Sequence, residues 1–144
     1  MKKLLFALLL CFITSYAVQA QTKEETITWV NQKLQTYLYL DWFGATTEDL
    51  TIKVTECFIT INFTYVANER NKRPGQYYII PTDGVEFGER KINMKNGTES
   101  IRSESGFINS ASFGIKIGEE NLLERLNKAV THLATFCPKK QETF

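Results

Sequence analysis

His132 is the only histidine in the chain, so Ser-His-Asp catalysis, a Cys-His pair or a histidine-rich metal site would each have to pass through it. It stands beside Leu133 on an amphipathic stretch, and Cys137 lies five positions on, about 140° around a helix of 3.6 residues per turn. The two share no face, and His132 reads as a partly exposed helix histidine without a catalytic role. Cys57 and Cys137 lack Cys-x-x-Cys spacing and have no cation at a helix start, so they do not read as a redox pair. They permit one bridge, worth about 4 kcal/mol in the loop-closure model, or stand as two buried thiols. A paired-carboxylate hydrolase would draw on Glu48 with Asp49, Glu56, Asp83, Glu86 and Glu89. None is embedded in an aromatic segment that would raise one pKa and leave its neighbour low, and all read as solvated surface acids.

Two groups suit binding better than catalysis. Arg70, Lys72 and Arg73 form a basic tip in a loop with one acid, Glu69. It could hold a phosphate or a sulfated sugar, although such charge also keeps a hairpin tip soluble. Tyr37, Tyr39, Trp42 and Phe43 could form a sugar-stacking platform or a protein-docking patch, or seal one end of a small barrel. Glycine-rich phosphate loops and metal-ligand spacings are absent from the sequence, so no cofactor, metal site or catalytic residue is assigned.

The elements that must position these residues follow from periodicity. Thr22-Lys23-Glu24-Glu25 has capping-box spacing, and Ile27, Val30, Leu34, Tyr37 and Leu38 recur at helical intervals. A helix is expected from Lys23 to Leu40, closed by Asp41-Trp42-Phe43-Gly44. Period-two alternation then predicts strands over Leu50–Val54 and Cys57–Tyr65, a polar loop over 68–75 and a returning strand over Gln76–Ile80. Short strands are expected at Val85–Phe87 and Lys91–Lys95. Asn96-Gly97 is a type I′ hairpin signal that would set Met94 opposite Glu99 and Ile92 opposite Ile101. A last strand covers Ala111–Ile117. An amphipathic helix from Glu119 to Phe136 then carries Leu122, Leu126, Ala129, Val130, Leu133 and Cys137 on one face. Acids stand at its start, Lys139 and Lys140 at its end, and Pro138 stops it.

The amino terminus bounds the compartment. Lys2-Lys3, the apolar run Leu4–Ile13 and Val18-Gln19-Ala20 make a basic, an apolar and a small-residue cleavage region, so residues 1–20 read as a bacterial secretory signal peptide and Gln21 as the new terminus. The apolar run is too short for a retained span, and Leu10 before Cys11 argues against lipid attachment. The remaining 124 residues suit a single domain, 21–144, with no integral membrane segment and no repeat or linker. Seventeen basic against 16 acidic residues become 15 against 16 without Lys2 and Lys3, a net charge of −1 that offers nothing to a nucleic acid.

Helix, six or seven short antiparallel strands, helix is an α+β layout whose sheet is expected to curl around its apolar face. With an early amphipathic helix, the strand Val54-Thr55-Glu56-Cys57-Phe58-Ile59-Thr60-Ile61 and the ending Glu124–Leu133, the chain resembles small exported proteins of Bacteroidetes-type bacteria. Strand count and terminal helix resemble a pleckstrin-homology-like barrel capped by its last helix. That resemblance implies a fold and no activity. The expected function is a non-enzymatic binding or structural domain in the periplasm or outside the cell, with a protein or glycan partner. The alternative is a small periplasmic hydrolase whose site assembles only in three dimensions.

Overall fold

Helix α1 (Lys23–Tyr37) begins at a formed capping box: Glu25 N–H donates to Thr22 Oγ1 (3.2 Å) and Thr22 N–H donates to the Glu25 carboxylate (2.9 Å). The computed structural model describes residues 22–42 and 44–138. Residues 1–20, read above as a signal peptide, with Gln21, Phe43, Lys139 and Lys140, lie outside the described residues. The helix stops at Tyr37 and not at Leu40, because Leu38 turns extended and Leu38–Leu40 become strand β1. The apolar spacing of these residues suits either state. A ladder with a distant strand decides it, pairing Leu38 with Ile115 and Leu40 with Phe113.

Strands β2 (Thr46–Val54), β3 (Phe58–Asn68) and β4 (Asn71–Pro81) form antiparallel hairpins longer than their alternation predicts. The expected loop over 68–75 shrinks to Glu69-Arg70, since Asn68 pairs with Asn71, Val66 with Lys72 and Tyr65 with Arg73. Pro74 and Gly75, the latter at φ +75°, sit at a register shift opposite Phe63–Tyr65, so the ladder bends there and resumes. Another bulge lies in β2 between Glu48 and Thr51, where Asp49 takes φ +53°.

Next come β5 (Val85–Phe87), β6 (Ile92–Met94), β7 (Ile101–Ser103), β8 (Gly106–Ile108), β9 (Ser110–Ala111) and β10 (Phe113–Ile115). The Asn96-Gly97 hairpin does not form. Gly97 has φ +84° but Asn96 does not share positive φ, and Thr98 N–H donates to Lys95 C=O at 3.3 Å, the pattern of a type II turn. Met94 therefore faces Val85 and Ile92 faces both Phe87 and Ala111, while Ile101 pairs with Ile108. Thr98 packs where a Cβ on Gly84 would stand, 2.2 Å from its Cγ2, so this close approach requires the glycine. The expected last strand likewise divides into β9 and β10, and Ile117 lies outside it, 66% exposed.

The architecture is α+β with antiparallel ladders, but the sheets do not close into a barrel. The described strands form a five-stranded sheet ordered β2-β3-β4-β7-β8, a three-stranded sheet β5-β6-β9 and the β1-β10 pair. Strands β2 and β8 remain edges. The shared core joins Val30 and Leu34 of α1 to Ile59, Ile61, Ile80, Ile92, Ile101 and Phe113, with Phe113 edge-on to Phe63 at 5.1 Å.

Helix α2 (Leu122–Ala134) starts three residues after the expected Glu119, at the first residue of its apolar stripe. Asn121 takes φ +55° and makes no side-chain cap, leaving Glu119 and Glu120 ahead of the helix. Leu122, Leu126, Val130 and Leu133 are buried, Ala129 and Cys137 half-buried. Asn127 fastens the helix to β5 by accepting from Phe87 N–H (2.8 Å) and donating to Phe87 C=O (3.1 Å). Its far end is tied by a Cys57–Cys137 disulfide, with Cα atoms 5.0 Å apart. Because Leu126 is fully buried, Leu126→Ala is expected to lower stability by about 2–5 kcal/mol, read as a shifted urea midpoint. A loss well under 1 kcal/mol would mean that α2 is a detachable element.

A candidate binding groove at the edge of the large sheet

The residues singled out by type do not assemble into a catalytic site. His132 stacks edge-on against Phe136 (4.9 Å) and borders a shallow cleft of about 370 Å³ with Trp29, Arg125, Lys128 and Ala129. That lining holds neither a hydroxyl or thiol nucleophile nor a carboxylate. The acids are dispersed: Glu48 pairs with Lys72 (2.8 Å), Asp49 accepts from Thr64 (3.3 Å) and Glu56 faces Lys23 (3.8 Å). Asp83 lies in the turn before β5, Glu86 on β5, and Glu89 in the loop that follows. Among the described residues no three His, Cys, Asp or Glu side chains gather as a metal site would require.

The basic residues are brought to one hairpin end but not to one face. Lys72 and Arg73 are consecutive in β4 and point to opposite sides, and Lys72 is already held by Glu48. Arg70 occupies the two-residue loop, its N–H donating to Asn68 Oδ1 (3.1 Å). Of the aromatic group, Tyr39 is a strut whose hydroxyl donates to Glu89 C=O (2.8 Å). This contact holds the β5–β6 loop down on Gly114, where a Cβ would stand 2.0 Å from the Glu89 oxygen. Asp41 and Arg90 clamp the same loop at 2.7 Å. Tyr37 donates to Glu119 (2.9 Å), Trp42 is 48% exposed, and Phe43 is outside the described residues.

Glu119, whose position suggests a helix-dipole acid, instead joins the two helices. Its carboxylate accepts from Lys33 and from Tyr37, with Arg125 at 3.5 Å. Lys33 first, then the Tyr37 hydroxyl, hold Glu119 below its ordinary value of 4.5, and the same bond makes Tyr37 harder to ionise.

The surface that sequence reasoning missed is a groove of about 470 Å³ between α1 and β2. Ile27, Ile52 and Val54 give it an apolar base, Thr28, Asn31, Gln32 and Gln35 form one wall, and exposed Lys53 stands at the rim. Among the described residues β3 is the only ladder neighbour of strand β2. Thr55 N–H donates to Phe58 C=O (2.9 Å), which makes Thr55/Phe58 a hydrogen-bonded pair. Alternation then makes Lys53/Thr60 and Thr51/Asn62 hydrogen-bonded pairs as well. Ile52 and Val54 consequently turn their N–H and C=O groups away from β3, toward the open edge. Asn31 Oδ1, buried in the groove wall, has no hydrogen-bond partner. Nothing in a one-dimensional pattern signals this arrangement, since Asn31, Gln32 and Gln35 read as ordinary solvated helix positions.

The Glu119 contact carries a pH signature. A carboxylate with a lowered folded pKa stabilises above its unfolded value, and the contribution disappears as pH falls through the folded value. Glu119→Gln should therefore melt below the parent at pH 7, with the gap closing as both are acidified below 4.5, followed by thermal melts across that range. A gap independent of pH would show that shape and not charge holds the contact. Comparison with protein families, curated proteins and solved structures finds no match for this chain.

Proposed function

We propose that this chain is an exported, non-enzymatic binding domain that engages a protein partner through the groove beside β2. The observation that carries the reading is the open row of main-chain groups at Ile52 and Val54, set against a wall whose Asn31 carbonyl is desolvated and unpartnered. A buried polar atom without a partner costs free energy, as do sheet-edge groups in an apolar recess, and a bound polypeptide relieves both. A glycan fits less well, since Tyr37 and Tyr39 spend their hydroxyls on Glu119 and Glu89 and do not present a joint stacking face.

The leader over residues 1–20 and the resemblance to exported proteins support an extracytoplasmic site of action. The Cys57–Cys137 bridge suits an oxidising compartment.

Intact-mass analysis of exported protein should find a chain beginning at Gln21, lighter than its dithiol form by the two hydrogens lost to the bridge. Retained Met1 or two alkylatable thiols would count against export to an oxidising site. For the groove, a photoreactive benzoylphenylalanine replaces Gln32 in one exported variant and the exposed turn residue Asn96 in another. A discrete protein adduct from position 32 and none from position 96 is expected. No adduct, or the same adduct from both, would refute the groove as the binding surface.

A further inference from the structure

The wall of the groove is uncharged, and its one cation is Lys53, which has no ion pair among the described residues. Lys53 and Thr51 are exposed, whereas Ile52 and Val54 turn their side chains into the core. A strand laid beside β2 would place alternate side chains on these two faces. Those on the Ile52/Val54 face meet Ile27 and the apolar base. Those on the Lys53 face meet an unneutralised ammonium.

We propose that the groove takes an extended peptide segment with an acidic side chain between two apolar ones, added to β2 as a new edge strand. This rests on the binding reading above and names the partner's chemistry. The peptide backbone pairs with Ile52 and Val54. The acidic group sits against Lys53, and a donor from the peptide satisfies Asn31 Oδ1. Charge complementarity selects an acidic partner over a basic one, because the groove lining offers no carboxylate.

A second copy of this chain is a poorer occupant. Two-fold pairing of β2 with itself about Ile52 leaves Lys53 opposite Thr51. Pairing about Thr51 would bring Lys53 to Asp49 of the second copy, but Asp49, at φ +53°, lies in the bulge that breaks the edge at that point. The bulge confines the usable template to Thr51–Val54, which suits a short partner segment and protects the edge from open-ended self-association.

The test is a random heptapeptide display selection on the disulfide-intact chain, followed by amide shift mapping with a synthetic copy of the most enriched peptide. Enriched sequences should place Asp or Glu between apolar residues. The peptide should shift the Ile52 and Val54 amides and slow their hydrogen exchange. Lys53→Glu, on an exposed position, should leave the melting temperature unchanged and weaken that peptide by about tenfold, and a repeat selection on it should favour Lys or Arg at the central position. Enrichment that maps elsewhere, no enrichment, or indifference to Lys53→Glu would overturn the proposal. Protected Ile52 and Val54 amides in the free chain, with concentration-dependent sedimentation, would overturn it in favour of self-association. If position 32 still crosslinks a protein after the selection fails, the binding reading survives and only the acidic-peptide assignment is lost.

Discussion

Everything else in the molecule depends on the apolar face of α2 staying where it is. Leu122, Leu126, Val130 and Leu133 are buried in the common core, where the helix packs on α1 and β5. Three fasteners of different physical kinds hold the helix. A charged network around Glu119 joins its start to α1, the Asn127 amide takes both main-chain groups of Phe87 at its middle, and a disulfide spanning 80 residues of sequence closes its end. The first is screened and pH-dependent, the second short-ranged, and the third acts largely on the unfolded chain.

This fastening matters for the groove because α1 is placed from both sides. Val30 and Leu34 seat it on the core, while Lys33 and Tyr37 tie it to Glu119 beside α2. The gap between α1 and the edge of β2 is thus set before any partner arrives, so binding orders little on this side. The Asp49 bulge limits the same edge at its other end. A recess of fixed width on a short template can read a partner's side chains without offering an extended surface to unrelated strands.

Much of the fold was legible in the sequence where one physical signal acted without competition. The capping box at Thr22 and the buried stripe of α2 are local or strictly periodic, and both appear at nearly the expected residues. The alternation of Ile59, Ile61 and Phe63 placed β3 for the same reason. The misses fall where local preference and tertiary pairing disagree. Leu38–Leu40 fit the helical period but gain a ladder with β10 by becoming extended. Asn96-Gly97 prefers a two-residue hairpin in isolation, yet β6 pairs with β5 and β9, and the chain beyond Gly97 crosses to pair β7 with β4 instead.

By itself, then, the sequence determined the α+β class and the two helices, because composition and period carry that information along the chain. Only the tertiary structure decided that Cys57 and Cys137 meet, that Glu119 links two helices, that the ladders stay open, and that Asn31 and Lys53 face a free strand edge. Those are relations between residues far apart in sequence. They arise from closing long loops around a common core, and no local propensity records which loops close.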